Sequence, residues 1–391
     1  MRVGIVVPHI FMQDKILPNV IFAPANLAIS LAENLEVQGQ EVTLFSPGRV
    51  TTKVKNVIAD LSYFEKELKL RQDDYISLLR KHPFTFVTLA RQVQSELIAK
   101  ALQTANDCKL DILHFYTNEE DTALPFSRFC TKPIVFTHHD PFNFLVKYKN
   151  VFPKYKAYNW LSVSYAQRKS MPLDTNWIGN IYHGIPEKMY KPVYEPKEDY
   201  LAYIGRIITS KGVHLAIEAL KKYNSSYGKR LKLKIAGKHY GDHQKDQYWQ
   251  KEILPELENP MIEYVGFLKT VKEKQKFFGN AKALIMPSLF EEPFGIVMIE
   301  ALACATPIIG LNSGSIAEII KPKVNGLLIP KIMSGETRKF NAAKTIEALA
   351  EAIKYIGGVD RRKCRTDFEQ RFTAKRMAAE HLNIYRRLTK E

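Results

Sequence analysis

The stretch Ser288-Leu-Phe-Glu-Glu-Pro-Phe-Gly-Ile-Val-Met-Ile-Glu300-Ala places two carboxylates, Glu292 and Glu300, on either side of an expected helix start. Pro293 holds φ near about −65° and lacks a donor, which suits the first turn of a helix. Gly295 permits close approach of a ligand to the backbone. From Ile296 onward the residues are almost all apolar, so the helix is expected to be buried, with Glu300 inside it. A buried carboxylate needs hydrogen-bond donors. Sugar and ribose hydroxyls are such donors, and the unsatisfied N–H groups of a helix start suit a phosphate. The residues alone leave a structural role open as well, with Glu300 bracing a neighbouring loop and Glu292 solvated.

Residues 199–212 read Asp-Tyr-Leu-Ala-Tyr-Ile-Gly-Arg-Ile-Ile-Thr-Ser-Lys-Gly. The apolar run ending at Ile204 predicts a buried parallel strand. Gly205 turns the chain, and Ser210 is the expected N-cap of an amphipathic helix over 213–223. Arg206 and Lys211 then share one strand-to-helix loop at the carboxyl end of a strand, where ligands of open α/β sheets bind. Arg as a bidentate fork and Lys as a point charge can neutralise a diphosphate. In a chain this basic, two solvated cations are the alternative.

These motifs together resemble the retaining glycosyltransferases of family four (glycosyl transferases group 1), whose fold is GT-B. Gly205-Arg206…Lys211-Gly212 resembles that family's diphosphate loop, and Glu292-Pro-Phe-Gly…Glu300-Ala its Glu-x7-Glu signature. Thr137-His138-His139-Asp140 resembles its Thr-x-His segment, and Tyr182-His183-Gly184-Ile185 the junction where a second domain begins. The resemblance spans nearly the whole chain.

The surrounding elements fit such a frame. Strand-like runs at 3–7, 42–45, 112–115, 134–136 and 161–164 alternate with helical stretches at 25–38 and 88–106. The alternation restarts after Pro186, with runs at 201–204, 231–236, 262–265, 283–286, 308–309 and 326–329. This predicts an α/β chain of two Rossmann-like, doubly wound parallel-sheet domains; the resemblance adds an interdomain cleft that closes over the ligand. The expected division is 1–185 plus 372–391 for an acceptor-side domain, and 186–371 for a nucleotide-sugar domain. The amphipathic stretch 372–390 is the expected last helix, which in the resembling family crosses back onto the first domain. Lys191-Pro-Val-Tyr-Glu-Pro-Lys is the expected linker, and 331–341 a polar surface loop.

Composition narrows the function classes. With 391 residues and 46% hydrophobic content, the chain can bury two cores. Cys108, Cys130, Cys304 and Cys364 are scattered without metal spacing, which fits free thiols in a cytoplasmic protein. The sequence begins with a strand-like run rather than a leader, and no apolar run approaches the ~20 residues that span a bilayer. The net charge is +16, with 21 Lys+Arg against 17 Asp+Glu in residues 1–184 and 36 against 24 in 185–391. The basic residues are dispersed among acidic ones, so no nucleic-acid partner is expected. Residues 142–158 interleave aromatics with Lys147, Lys149, Lys154 and Lys156. Acceptor recognition and plain packing are equal readings of that segment, and a weak peripheral membrane contact is a lesser third.

The resemblance implies transfer of a sugar from a nucleotide-diphosphate donor, of the UDP-glucose or GDP-mannose type, to an acceptor hydroxyl with retention and without a metal or other cofactor. The acceptor is a sugar, a lipid-linked or a small molecule. Arg206 and Lys211 stabilise the departing diphosphate, beside Gly205. Glu292 holds the donor sugar with backbone N–H groups of Phe294 and Gly295, Ile296 is a further contact, and Glu300 holds the ribose. His139, rather than His138, contacts the sugar near its reacting face. Gly314 either lies near the nucleotide or is a simple turn glycine. The loop after the first strand, 8–23, departs from the family by carrying no glycine. Another nucleotide-sugar reaction on this fold (epimerisation or phosphorolysis) and a non-catalytic nucleotide-sugar-binding protein are the alternatives.

Overall fold

The computed structural model describes residues 1–20, 22–116, 118–239, 246–334 and 339–390. The chain divides into two compact units, Met1–Gly184 with Ala374–Glu391, and Ile185–Thr373.

Unit 1 is built on seven parallel strands: β1 (Arg2–Val6), β2 (Glu41–Ser46), β3 (Lys55–Ile58), β4 (Ile112–Tyr116), β5 (Ile134–Thr137), β6 (Asn159–Ser162) and β7 (Trp177–Asn180). The central strands are almost wholly buried and therefore read as continuous apolar runs. Their order is β3-β2-β1-β4-β5-β6-β7, with Val3 opposite Val42 on one side and Ile112 on the other. The helices α1 (Ala23–Val37), α2 (Ser62–Arg71), α3 (Tyr75–Lys81), α4 (Pro83–Asn106) and α5 (Val146–Val151) connect them. Phe86, Val93, Leu97 and Ala101 of α4 face the core beside Phe115 and Phe136 of the sheet.

Unit 2 holds six parallel strands in the order β10-β9-β8-β11-β12-β13. They are β8 (Tyr200–Ile204), β9 (Lys232–Ala236), β10 (Ile262–Gly266), β11 (Ala283–Met286), β12 (Ile308–Leu311) and β13 (Gly326–Ile329). Its helices are α6 (Val213–Tyr227), α7 (Val271–Gly279), α8 (Ile296–Ala303), α9 (Ile316–Ile319), α10 (Ala342–Tyr355) and α11 (Arg361–Arg371). The capping box of Thr270 and Glu273 starts α7. The last helix, α12 (Ala374–Thr389), belongs to unit 1, where a Cβ on Gly179 would stand 2.6 Å from Ile384.

Several expectations need correction. Strands β3 and β7 have no sequence signal because they are sheet edges, half-exposed and only four residues long. Strand β6 lies two residues earlier than expected. The expected final helix over 372–390 is α12, starting two residues later at Ala374; Thr373, bridged to Ile185, separates it from α11. Within 331–341, Met333–Ser334 pairs antiparallel with Lys339–Phe340; residues 335–338 of that stretch lie outside the described residues.

Candidate functional site

A doubly wound sheet opens a crevice where neighbouring strands send their connections in opposite directions. In unit 2 that point lies between β8 and β11, which pair at Ala283 and Leu201. The loop after β8 carries Gly205, Arg206 and Lys211; the loop after β11 carries Ser288 and Glu292 and ends at α8. The two loops are tied together by the Ser210 carbonyl, which accepts the N–H groups of Leu289 and Phe290 at 2.9 Å each. Ser210 is therefore a clamp between loops rather than a helix cap. Gly212, at φ +72, precedes α6 instead, and a Cβ there would stand 2.1 Å from the Pro287 carbonyl oxygen.

The loops enclose a cavity of about 140 Å³ lined by Gly205, Arg206, Lys211, Ser288, Glu292, Gly295 and Ile296 among others. Lys211 Nζ lies 2.5 Å from Glu292 Oε1, and Ser288 Oγ lies 3.0 Å from the same oxygen. The ammonium also sits 4.4 Å from the centre of the Phe290 ring. Arg206 lines the cavity half-exposed and, among the described residues, its guanidinium takes no hydrogen bond or ion pair.

Two helix starts flank this point, and they differ. The Tyr248 hydroxyl accepts the His214 backbone N–H at 3.2 Å, closing the first turn of α6 from within unit 2. Burial raises the Tyr248 phenol to about 12, so the group stays a neutral hydroxyl. Helix α8 starts at Gly295, φ +82, with no side-chain cap, and its first residues Ile296 and Val297 line the cavity. Pro293 thus precedes the helix instead of sitting in its first turn. The open N–H groups and positive dipole end of α8 face the same space as Arg206 and Lys211, which is an arrangement suited to a phosphate-bearing ligand.

Glu300 is placed differently from Glu292. It is buried on α8, one turn in, and does not line the cavity. Tyr190 donates to Oε1 at 2.9 Å, and Lys274 of α7 pairs at 2.8 Å. Burial and the adjacent Glu300 charge drive the Tyr190 phenol far above its ordinary value. Phe294 is buried, its carbonyl accepting the Ser315 hydroxyl at 2.6 Å. Gly314 is more than a turn residue: at φ +56, a Cβ would stand 2.4 Å from both N and O of Glu292. Its contact is with the backbone that carries the carboxylate.

His139 lies in unit 1, at the carboxyl end of β5. Its ring stacks on His183 at 5.0 Å and meets Tyr116 edge-on at 4.5 Å. Burial, followed by the neighbouring histidines, holds it well below its ordinary value, so it is a neutral imidazole. His138 is wholly buried between Phe142, Tyr148 and Phe152. The part-exposed ring of the pair is therefore His139.

Sequence reading missed Ser288, Phe290, Tyr190 and Lys274. Ser288 and Phe290 lie within the quoted Glu-x7-Glu stretch, so their places were available. Lys274 and Tyr190 are brought to Glu300 only by folding, and no local pattern marks them.

The paired switch-point sheets and the phosphate-suited loops of unit 2 define the GT-B class. Residues 185–356 match the family model described as glycosyl transferases group 1, and the chain carries such a domain. The chain is 30% identical over 132 residues to an uncharacterized glycosyltransferase, MJ1607, of Methanocaldococcus jannaschii, covering 34% of this chain and 32% of that protein. It is 23% identical over 263 residues to alpha-maltose-1-phosphate synthase of Mycobacterium tuberculosis, covering 58% and 62%. The chain thus spans about a third to three-fifths of the length of these curated relatives. Among solved structures it resembles sucrose-phosphate synthase from Thermosynechococcus elongatus, with a TM-score of 0.70 at 16% identity over 100% of this chain and 99% of that one. It also resembles Anabaena Alr3699/HepE in complex with UDP and glucose, with a TM-score of 0.64 at 16% identity and 98% coverage of both. At these identities the likeness establishes the fold.

Proposed function

We propose that the chain is a retaining glycosyltransferase of family four that moves a hexose from a nucleotide-diphosphate sugar to an acceptor hydroxyl, without a divalent metal, in the cytoplasm. The observation that carries this is the unit 2 cavity, where Arg206, Lys211 and the uncapped start of α8 surround one space bordered by Glu292. Departure of a diphosphate builds negative charge on its oxygens, and fixed donors aimed at that charge are the largest single contribution in many enzymes. Arg206 and Lys211 supply two cations, and α8 supplies N–H groups that need no reorganisation.

Glu292, with its neighbour Ser288, holds the donor sugar's hydroxyls. Glu300, oriented by Lys274 and Tyr190, serves the ribose. His139, as a neutral ring, accepts or donates a hydrogen bond to the donor sugar. Attack by the acceptor on the face the diphosphate leaves retains configuration, with a leaving-group oxygen taking the acceptor proton.

The test is hydrolysis and transfer with UDP-, GDP- and ADP-sugars in the presence of a chelator, comparing native protein with Lys211→Ala. Release of one nucleoside diphosphate, lost in the variant, is expected and names the donor. No turnover and no thermal shift with any nucleotide would remove the donor-site assignment. A thermal shift without turnover would favour a nucleotide-sugar-binding protein.

A further inference from the structure

The phosphate-suited lysine of unit 2 meets a carboxylate. Lys211 Nζ and Glu292 Oε1 stand 2.5 Å apart, with side-chain exposures of 13% and 8%. Ser288 Oγ, 3.0 Å away, steadies the same oxygen, and the Phe290 ring lies under the ammonium. A carboxylate oxygen and a phosphoryl oxygen present the same acceptor to an ammonium group. Lys211 therefore has one of its donors engaged where the proposed ligand would engage it. Taken with Arg206, the three groups leave the cavity one net positive charge rather than two.

We infer that Glu292 is an internal surrogate for the donor's diphosphate: it holds Lys211 until an arriving diphosphate displaces it, and then turns to the donor sugar's hydroxyls. This rests on the donor-site reading above and adds how that site regulates its own occupancy. Pairing with Glu292 avoids a buried, uncompensated ammonium. A nucleoside diphosphate without a sugar takes Lys211 but leaves Glu292 with no replacement for the ion pair. A nucleotide sugar supplies both the phosphate for Lys211 and hydroxyl donors for Glu292. The exchange thereby favours the intact donor over the spent nucleoside diphosphate.

The experiment is titration calorimetry of native protein and Glu292→Gln with pyrophosphate, UDP, GDP and ADP, after thermal melts show that the variant folds. The amide keeps the shape but removes the competing charge. Binding of pyrophosphate and of the matching nucleoside diphosphate is expected to tighten on the order of ten- to a hundredfold. The corresponding nucleotide sugar gains less, so the preference for donor over diphosphate narrows. Unchanged or weaker diphosphate binding in the variant would overturn the inference, because Glu292 would then merely position Lys211; the donor site itself would stand. Absence of binding to either protein would remove the donor site and the inference together. Should Glu292→Gln not fold, Glu292→Ala, which also removes the competing charge, carries the same expectation.

Discussion

Units 1 and 2 place side chains at the same point of closely similar parallel sheets, yet handle charge in opposite ways. At the carboxyl end of the unit 2 sheet stand Arg206 and the ion pair of Lys211 and Glu292, around an open cavity. At the carboxyl end of the unit 1 sheet, His139 and His183 stack on each other. His114 behind them spans Thr137 at 2.8 Å and Tyr385 at 2.6 Å, with His381 5.4 Å from its ring. Burial lowers His183 to about 3 and His381 to about 4, and holds His114 and His139 well below the ordinary value. One sheet presents fixed charges; the other presents neutral rings that can offer hydrogen bonds and apolar faces. The scaffold does not decide which, since topology is shared and only the loop and strand-end residues differ.

The comparison is broken most strongly by packing in unit 1. Phe152 is fully buried against Trp160, Phe142 and Tyr148. Phe152→Ala is expected to lower the stability of unit 1 by about 3–5 kcal/mol, through lost burial and the cavity left behind. Hydrogen exchange resolved by residue should show the loss in β5, β6 and α5, with unit 2 protection unchanged. Equal loosening in both units would mean that they unfold as one.

Charge removal in unit 2 comes next. Arg206→Ala and Lys211→Ala should each reduce donor turnover by roughly a hundred- to a thousandfold, or about 3–4 kcal/mol in the barrier. For Lys211→Ala the remaining Glu292 is left buried without its ion partner, so a melt must accompany the rate. A rate loss that merely follows the fraction unfolded would reduce the pair to a structural role.

Acidification acts on unit 1 through its buried rings. Histidines whose folded values lie below the unfolded value of about 6.5 take up protons more readily when unfolded. Their contribution to stability is complete above about pH 6.5 and is lost as pH falls toward about 4 for His381 and about 3 for His183. Between pH 6.5 and 5, each should remove on the order of 2 kcal/mol from unit 1. His381→Gln, keeping a donor for the Met377 carbonyl 2.8 Å from Nδ1, should flatten that slope. A melt with no slope between pH 6.5 and 5 would show that the rings already charge in the folded state.

The difference between the units also explains what the sequence revealed. Buried central strands appear as unbroken apolar runs, and charged loop residues stand out against them, so β8, β11, Arg206, Lys211 and Glu292 were legible. Edge strands β3 and β7 pair on one side only and need no apolar run, so nothing marked them. Ser210 looked like a cap because a serine before an amphipathic helix commonly is one. Folding instead brought the loop after β11 to its carbonyl, and Gly212 took the helix start. Lys274 and Tyr190 have no local signature, because their role depends on α7 and the 185–190 segment meeting α8.

The smallest effect expected lies in the aromatic and basic segment of unit 1. Its aromatics Phe142, Tyr148 and Phe152 are core residues, and His138 packs among them. Two of its four lysines are already matched: Lys147 pairs with Asp121 at 3.2 Å, and Lys156 pairs with Asp174. Lys149 and Lys154 are exposed. Substituting both by Ala should change stability by no more than about 0.5 kcal/mol, because exposed side chains away from special features contribute little. The same variant separates the remaining readings of the segment. Unchanged transfer and unchanged sedimentation with anionic vesicles would leave it a packed wall whose basic residues are solvated. Loss of transfer with donor hydrolysis intact would assign those lysines to the acceptor, and loss of vesicle binding alone would assign them, with exposed Phe144 and Val146, to a lipid surface.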